Sequence, residues 1–123
     1  MILVVEDDPQ VSRLIALVLQ RNGYDSHVVA DGHSAFAAAR ELGPAMIFAD
    51  LTIKGMAGDA LCSALKSLPE TKDIPYVVVS GDRDIAEKAR ICGADDYMGK
   101  PFEFEDLIRL VKKYARAESR KAD

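Results

Sequence analysis

The sequence predicts a doubly wound α/β domain, a parallel sheet with helices packed on both faces. Three observations carry the prediction. Short apolar runs alternate with amphipathic stretches along the chain, giving about five strand–helix units. No stretch repeats another and no linker breaks the alternation, so the units belong to one domain. Polar residues stand where apolar runs end. Ile2–Val5 runs into Glu6-Asp7-Asp8, Met46–Ala49 into Asp50, Tyr76–Val79 into Ser80, and Tyr97-Met98-Gly99 into Lys100-Pro101. In an open parallel sheet the carboxyl ends of the strands form the ligand crevice. Glu6, Asp7, Asp50, Ser80 and Lys100 are therefore expected to meet in one place.

The elements follow in order. Ile2–Val5 is the first strand. Asp8-Pro9 then opens a helix: the aspartate can cap it and proline suits the first turn. Val11, Leu14, Ile15, Val18 and Leu19 repeat at helical spacing and predict its buried face. Asn22-Gly23 closes it. Tyr24–Val29 reads as a strand, Asp31-Gly32 as a turn, and a second helix runs to about Leu42 before Gly43-Pro44. Met46–Ala49 is a short buried strand. A loop with Gly55 and Gly58 leads to a third helix that places Leu61, Ala64, Leu65 and Leu68 on one face. Pro69 and Pro75 bracket the next loop, and Tyr76–Val79 is the fourth strand. From Asp82 to Cys92 only Ile85, Ala89 and Cys92 form an apolar stripe, so this helix is expected to be the least firmly packed. Gly93 ends it. Asp95–Gly99 is the last strand. Phe104, Leu107, Ile108 and Val111 mark the core face of the last helix. The domain is expected to span residues 1–118, with a polar tail over 119–123; fraying is expected from Arg116 onward.

Composition sets bounds on function. At 123 residues the chain suffices for one domain with one core. A net charge of −4 argues against a nucleic-acid-binding surface on the domain as a whole. No apolar stretch reaches the ~20 residues a membrane span needs. The opening apolar run is short and acids follow it at once, which is not a signal peptide. Cys62 and Cys92 lie at helical positions in apolar context and read as free, buried thiols. His27 and His33 read as surface residues. Met1 lies almost on the first strand and the tail is mixed in charge, which suggests either a stand-alone domain or one cut from a longer protein.

The strand ends carry the chemistry. Three clustered carboxylates, Glu6, Asp7 and Asp50, cannot all stay ionised without a cation. A lysine and a hard divalent ion supply it, and magnesium prefers oxygen ligands of this kind. Simpler readings stand beside these. Asp8 is a helix cap. Taken singly, Ser80 is a turn residue before Gly81 and Tyr97 a surface aromatic of a strand. Taken together, those readings need several coincidences at one edge of one sheet.

In this order and at these strand ends, the motifs resemble the receiver domain of two-component response regulators, and the resemblance covers nearly the whole chain. Its elements are Val-Val-Glu6-Asp7-Asp8-Pro, the lone Asp50, Val-Val-Val-Ser80-Gly81 and Tyr97-Met-Gly-Lys100-Pro101-Phe102. It implies a flavodoxin-like (βα)5 fold with strand order 2-1-3-4-5. It implies that Asp50 accepts a phosphoryl group from a histidine kinase or phosphotransfer protein. It further implies that Asp7, Asp50 and the backbone carbonyl of Thr52 bind Mg²⁺, with Glu6 helping through water. Lys100 would pair with the phosphoryl oxygens, Ser80 would hydrogen-bond to one of them, and Tyr97 would turn inward when Ser80 moves. A protein target would dock on the fourth helix, fifth strand and fifth helix. The chain would act in the cytoplasm as a monomer or a phosphorylation-dependent dimer, catalysing only its own phosphoryl transfer and dephosphorylation. Lys100 must point back over the strand end while the chain turns toward the last helix. That geometry, and the resemblance with it, predicts a cis bond before Pro101.

Two positions depart from the family pattern. Lys54 stands where a proline is common, and Ala57 stands where an acid usually precedes the glycine. Both bear on loop rigidity, metal affinity and phosphorylation rate. Rival readings are weaker. A flavin carrier needs a Ser/Thr/Gly-rich phosphate loop after the first strand, where this chain has acids. A haloacid-dehalogenase-like phosphatase wants a second aspartate two residues after the first, where this chain has Thr52. A degenerate receiver that only binds proteins is the remaining alternative.

Overall fold

The computed structural model describes residues 1–53 and 55–115. Lys54 and the segment from Arg116 onward, including the expected 119–123 tail, lie outside the described residues. Ten elements alternate along the chain: β1 (Ile2–Val5), α1 (Pro9–Arg21), β2 (Ser26–Val29), α2 (Gly32–Leu42), β3 (Met46–Asp50), α3 (Gly58–Lys66), β4 (Tyr76–Ser80), α4 (Ile85–Cys92), β5 (Asp96–Gly99) and α5 (Phe104–Tyr114). The strands form one parallel sheet in the order β2-β1-β3-β4-β5. This is the predicted doubly wound topology.

The three central strands β1, β3 and β4 are buried along their whole length. Their side chains alternate between two cores, as the period of two in a strand requires. Leu3, Val5, Ile47, Ala49, Tyr76 and Val78 meet α2, α3 and α4. Ile2, Val4, Met46, Phe48, Val77 and Val79 meet α1 and α5. Burying one such aliphatic side chain contributes about 1.5–3 kcal/mol. β2 and β5 are the edge strands, and His27 and Val28 are exposed on β2.

The Asp8 cap and the glycine stops form where the sequence placed them, and Asp31, read there as a turn residue, is a cap as well. The Asp8 carboxylate accepts the Gln10 amide at 2.9 Å ahead of Pro9. Asp31 caps α2 by accepting the Ser34 amide at 2.7 Å and its hydroxyl at 2.9 Å. Gly43 and Gly93 end α2 and α4 in the left-handed conformation that favours glycine. The Lys100–Pro101 bond is cis, as expected.

Several expectations need correction. β2 begins at Ser26 rather than Tyr24, because Tyr24 turns its ring into the α1–α5 core. α4 begins at Ile85, leaving 82–84 as loop. Its stripe of Ile85, Ala89 and Cys92 is fully buried, although α4 is the shortest of the described helices. On α1, Leu14 is 46% exposed and the core face is Ser12, Ile15 and Leu19. On α5, Phe104 is 45% exposed while Leu110 is buried beside Leu107 and Val111. Leu14 and Phe104 instead line a shallow apolar groove with Val11, Pro101 and Phe102. On α3, Leu68 falls beyond the end of the helix. Cys62 and Cys92 are free and buried. Among the described residues, no helix is long and apolar enough to cross a membrane.

Candidate functional site at the carboxyl edge of the sheet

The backbone ladder brings the site together before any side chain acts. Val5 is in register with Ala49, so Glu6 and Asp50 follow at equivalent positions on neighbouring strands. The Glu6 amide donates to the Val29 carbonyl at 3.0 Å, which fixes the chain just past β1. Asp50 closes β3 opposite Val79, and the next amide, of Leu51, donates to the Val79 carbonyl at 3.1 Å. Ser80 closes β4 opposite Gly99. The Lys100 amide donates to the Ser80 carbonyl at 2.9 Å.

The side chains converge on that edge. Lys100 Nζ donates to Asp50 Oδ2 at 2.5 Å and to Glu6 Oε1 at 3.0 Å. Both carboxylates are buried, Glu6 at 5% and Asp50 at 7% exposure. The other oxygen of Asp50, Oδ1, accepts the Thr52 amide at 3.0 Å and the Thr52 hydroxyl at 3.1 Å. Asp7, the residue after Glu6, is half-buried. Ser80 is buried, and its Oγ accepts the Asp82 amide at 3.0 Å. Tyr97 stands apart, 45% exposed on β5.

The charges at this edge are unevenly balanced. Burial pushes the Glu6 carboxyl above its ordinary value, and the hydrogen bond from Lys100 only partly offsets this. Burial works against the Lys100 charge as well. Its hydrogen bonds to Asp50 and Glu6 outweigh that and hold its pKa above the ordinary lysine value. One ammonium therefore serves two buried acids and leaves Glu6 under-compensated. Among the described residues, no three His, Cys, Asp or Glu side chains are grouped so as to hold a metal ion. That is compatible with Mg²⁺, which keeps several waters and uses one or two carboxylates rather than a full protein shell. The donors expected from the sequence, Asp7, Asp50 and the Thr52 carbonyl, are all hard oxygen, the ligand type Mg²⁺ takes.

Sequence reasoning missed three neighbours of the site. Asp82 links the Ser80 hydroxyl to α4, because its carboxylate pairs with Lys88 at 2.9 Å. The spacing of an acid two residues beyond Ser80 and a lysine six beyond that was the available signal. Gly58 lets α3 start against the backbone of Asp50 and Leu51, where a Cβ would meet the Asp50 carbonyl oxygen and lie 2.8 Å from Leu51 Cα. Gly32 makes a similar close approach to Met56. Sequence marks such glycines only as turn residues.

Fold and site together define a class: a flavodoxin-like α/β module whose acids and lysine share a cleft at the strand ends. The comparisons make the assignment specific. The response regulator receiver domain family matches residues 2–112, and the chain belongs to that family, the receiver domain of two-component systems. It is 35% identical over 113 residues to the DNA-binding response regulator MtrA of Mycolicibacterium smegmatis, covering 90% of this chain and 48% of that protein. The chain thus spans about half the length of the curated relatives it matches. The signal receiver domain of a signal transduction histidine kinase from Syntrophus aciditrophicus superposes with a TM-score of 0.87 at 30% identity, over 94% of this chain and 89% of that one. The receiver domain of sensor histidine kinase PA1611 from Pseudomonas aeruginosa PAO1, solved with magnesium in its active-site cleft, gives 0.85 at 25% identity, over 92% and 94%. Receiver domains of this family are signalling modules.

Proposed function

We propose that Asp50 is the phosphoacceptor of a histidine-to-aspartate relay. The observation that carries the reading is the buried Asp50 carboxylate, held at the end of β3 by a lysine that also binds Glu6. Phosphoryl transfer asks for positioning and charge neutralisation more than covalent help. An Asp50 oxygen attacks phosphorus, the bond to the donor's leaving group breaks, and its electron pair departs with the donor. Thr52 orients the carboxylate through its amide and hydroxyl. Lys100 moves from Asp50 Oδ2 to the phosphoryl oxygens, and the Ser80 hydroxyl hydrogen-bonds to one of them. Asp7, Asp50 and the Thr52 carbonyl hold Mg²⁺, with Glu6 acting through water. When bound, the ion neutralises charge between the carboxylate and an anionic donor.

The donor is a histidine kinase or a phosphotransfer protein, and the setting is the cytoplasm. The output is a protein target on the face of α4, β5 and α5, where Ile91 and Tyr97 are exposed. The domain itself binds neither nucleic acid nor membrane. It works as a monomer or as a phosphorylation-dependent dimer, and its only catalysis is its own phosphorylation and dephosphorylation. Acetyl phosphate with Mg²⁺, followed by intact mass measurement, tests the reading. Wild type is expected to gain one phosphoryl group and Asp50→Asn none. Equal labelling of the two moves the acceptor elsewhere, and no labelling of either leaves the phosphorylation-independent binding module.

A further inference from the structure

The loop between β3 and α3 carries Thr52, yet part of what positions it lies on another helix. We propose that Gly32, the first residue of α2, is a positioning residue for the metal and phosphoacceptor site. Its missing side chain makes the first turn of α2 the wall on which the far half of that loop seats. The inference rests on the metal-site reading above and adds a residue to it.

The geometry is specific. Gly32 is buried, and a Cβ there would meet Met56 Cβ and lie 2.5 Å from the Met56 carbonyl oxygen and 2.9 Å from Met56 Cα. None of these atoms sits at the end of a flexible chain that can swing away. The neighbouring His33 ring covers Gly55: a Cβ on Gly55 would stand 3.2 Å from His33 Cδ2. The Met56 side chain packs against the core between the sheet and α2–α4. At the end of the loop, the Gly58 amide donates to the Leu51 carbonyl at 3.0 Å. Met56 is therefore held by α2, and Gly58 by the carbonyl of Leu51, the residue next to Thr52.

The wall itself does not depend on the loop. Asp31 caps α2 through Ser34, and Ala35, Ala38 and Ala39 are buried against the sheet. A side chain at position 32 therefore displaces Met56 rather than α2. Relieving the contact takes a shift on the order of 1 Å toward ordinary van der Waals separation. A site of this kind tolerates about 0.5 Å, and Mg²⁺ demands near-ideal octahedral geometry.

The test compares variants of the whole chain by Mg²⁺ titration under NMR, with melting temperatures measured in parallel. Gly32→Ala is expected to weaken Mg²⁺ binding roughly fivefold to tenfold. Asp31→Ala, which removes the α2 cap and adds no atom toward Met56, is expected to melt lower with its Mg²⁺ affinity within about twofold of wild type. Affinity losses proportional to the melting losses in both variants reduce Gly32 to a structural residue and overturn the proposal. Met56→Gly covers the case in which Gly32→Ala does not fold. It frees the loop without a clash and is expected to weaken Mg²⁺ about threefold, and unchanged affinity there also overturns the proposal. Amide exchange at Gly58 needs no metal and separates the two readings. Faster exchange in Gly32→Ala, or in Met56→Gly, with no Mg²⁺ binding by wild type, sinks the metal site and keeps the wall. Wild-type exchange at Gly58 sinks the wall.

Discussion

Lys100 and Asp50 stand 50 residues apart in sequence and 2.5 Å apart at the edge of the sheet. The same ammonium reaches Glu6, 94 residues away. Three strands thus share one cation, and the site couples β1, β3 and β5 through it. Lys100→Ala leaves two buried carboxylates without their ammonium. Breaking a buried pair by removing one partner costs several kcal/mol. The lysine is 31% exposed, so water screens part of this and about 1–3 kcal/mol is expected in metal-free buffer. Millimolar Mg²⁺ is expected to restore more stability to the variant than to wild type. Denaturant melts with and without Mg²⁺ measure this, and a variant as stable as wild type without metal would show that the lysine is a solvated charge.

Gly58→Ala probes the other support of Asp50. The added Cβ meets the Asp50 carbonyl oxygen and presses on Leu51 Cα at 2.8 Å, both of them backbone. Overpacking of this kind costs about 1–3 kcal/mol or more. The start of α3 is expected to withdraw and the Gly58–Leu51 hydrogen bond to lengthen. Urea unfolding and exchange of the amide at 58 report the two effects separately.

The sheet and the site edge were legible in the sequence because both rest on one regularity. Strands buried on both faces write continuous apolar runs, and the first polar residue after each marks the crevice. Helix faces were less legible. Leu14 reads as core by spacing, yet Ser12 takes the buried position, because its hydroxyl donates to the Pro9 carbonyl at 3.2 Å and needs no water. Phe104 fits the apolar stripe of α5, but it is the first residue of the helix and 45% exposed. Periodicity says which residues share a face and not where the face runs off the sheet. The contacts of Gly32 and Gly58 were invisible for a different reason. Close backbone approach is a property of two segments, and sequence shows each segment alone.

The Asp82–Lys88 pair gives the chain a testable pH dependence. The hydrogen bond from Lys88 holds the Asp82 carboxyl below its ordinary 3.8, and the bond to Asp82 holds Lys88 above its ordinary 10.5. A depressed acid contributes stability present above 3.8 and lost as pH falls through its folded value. A raised lysine contributes stability present below 10.5 and lost as pH rises through its folded value. Lys88→Ala is therefore expected to melt slightly below wild type between these limits, with the gap closing beyond either end. Both groups are exposed, so added salt is expected to shrink the gap. Melting curves across pH at two ionic strengths measure it. A gap independent of pH and salt would place the effect of Lys88 in packing rather than charge.

Ser80 and Tyr97 supply the last prediction, which concerns switching. The Ser80 Oγ accepts the Asp82 amide at 3.0 Å, and Tyr97 is 45% exposed on β5. If Ser80 turns toward a phosphoryl group on Asp50, it leaves Asp82, and the 82–84 loop ahead of α4 loses that anchor. Asp82 is bound to α4 through Lys88, so the helix feels the change directly. The Tyr97 ring is then expected to turn inward toward the space beside Ser80, so that two packed states exchange. Burying an aromatic ring is worth about 1.5–3 kcal/mol, enough to bias such an equilibrium. Beryllofluoride with Mg²⁺ is expected to shift amides from Ile85 to Tyr97 as well as those touching Asp50, and to slow labelling of the Tyr97 ring by solvent reagents. Ser80→Ala is expected to keep the shifts near Asp50 and lose those over α4. Shifts confined to the neighbours of Asp50 in wild type would mean that acceptor and surface are uncoupled in this chain, with the Lys54 and Ala57 departures as the first positions to restore.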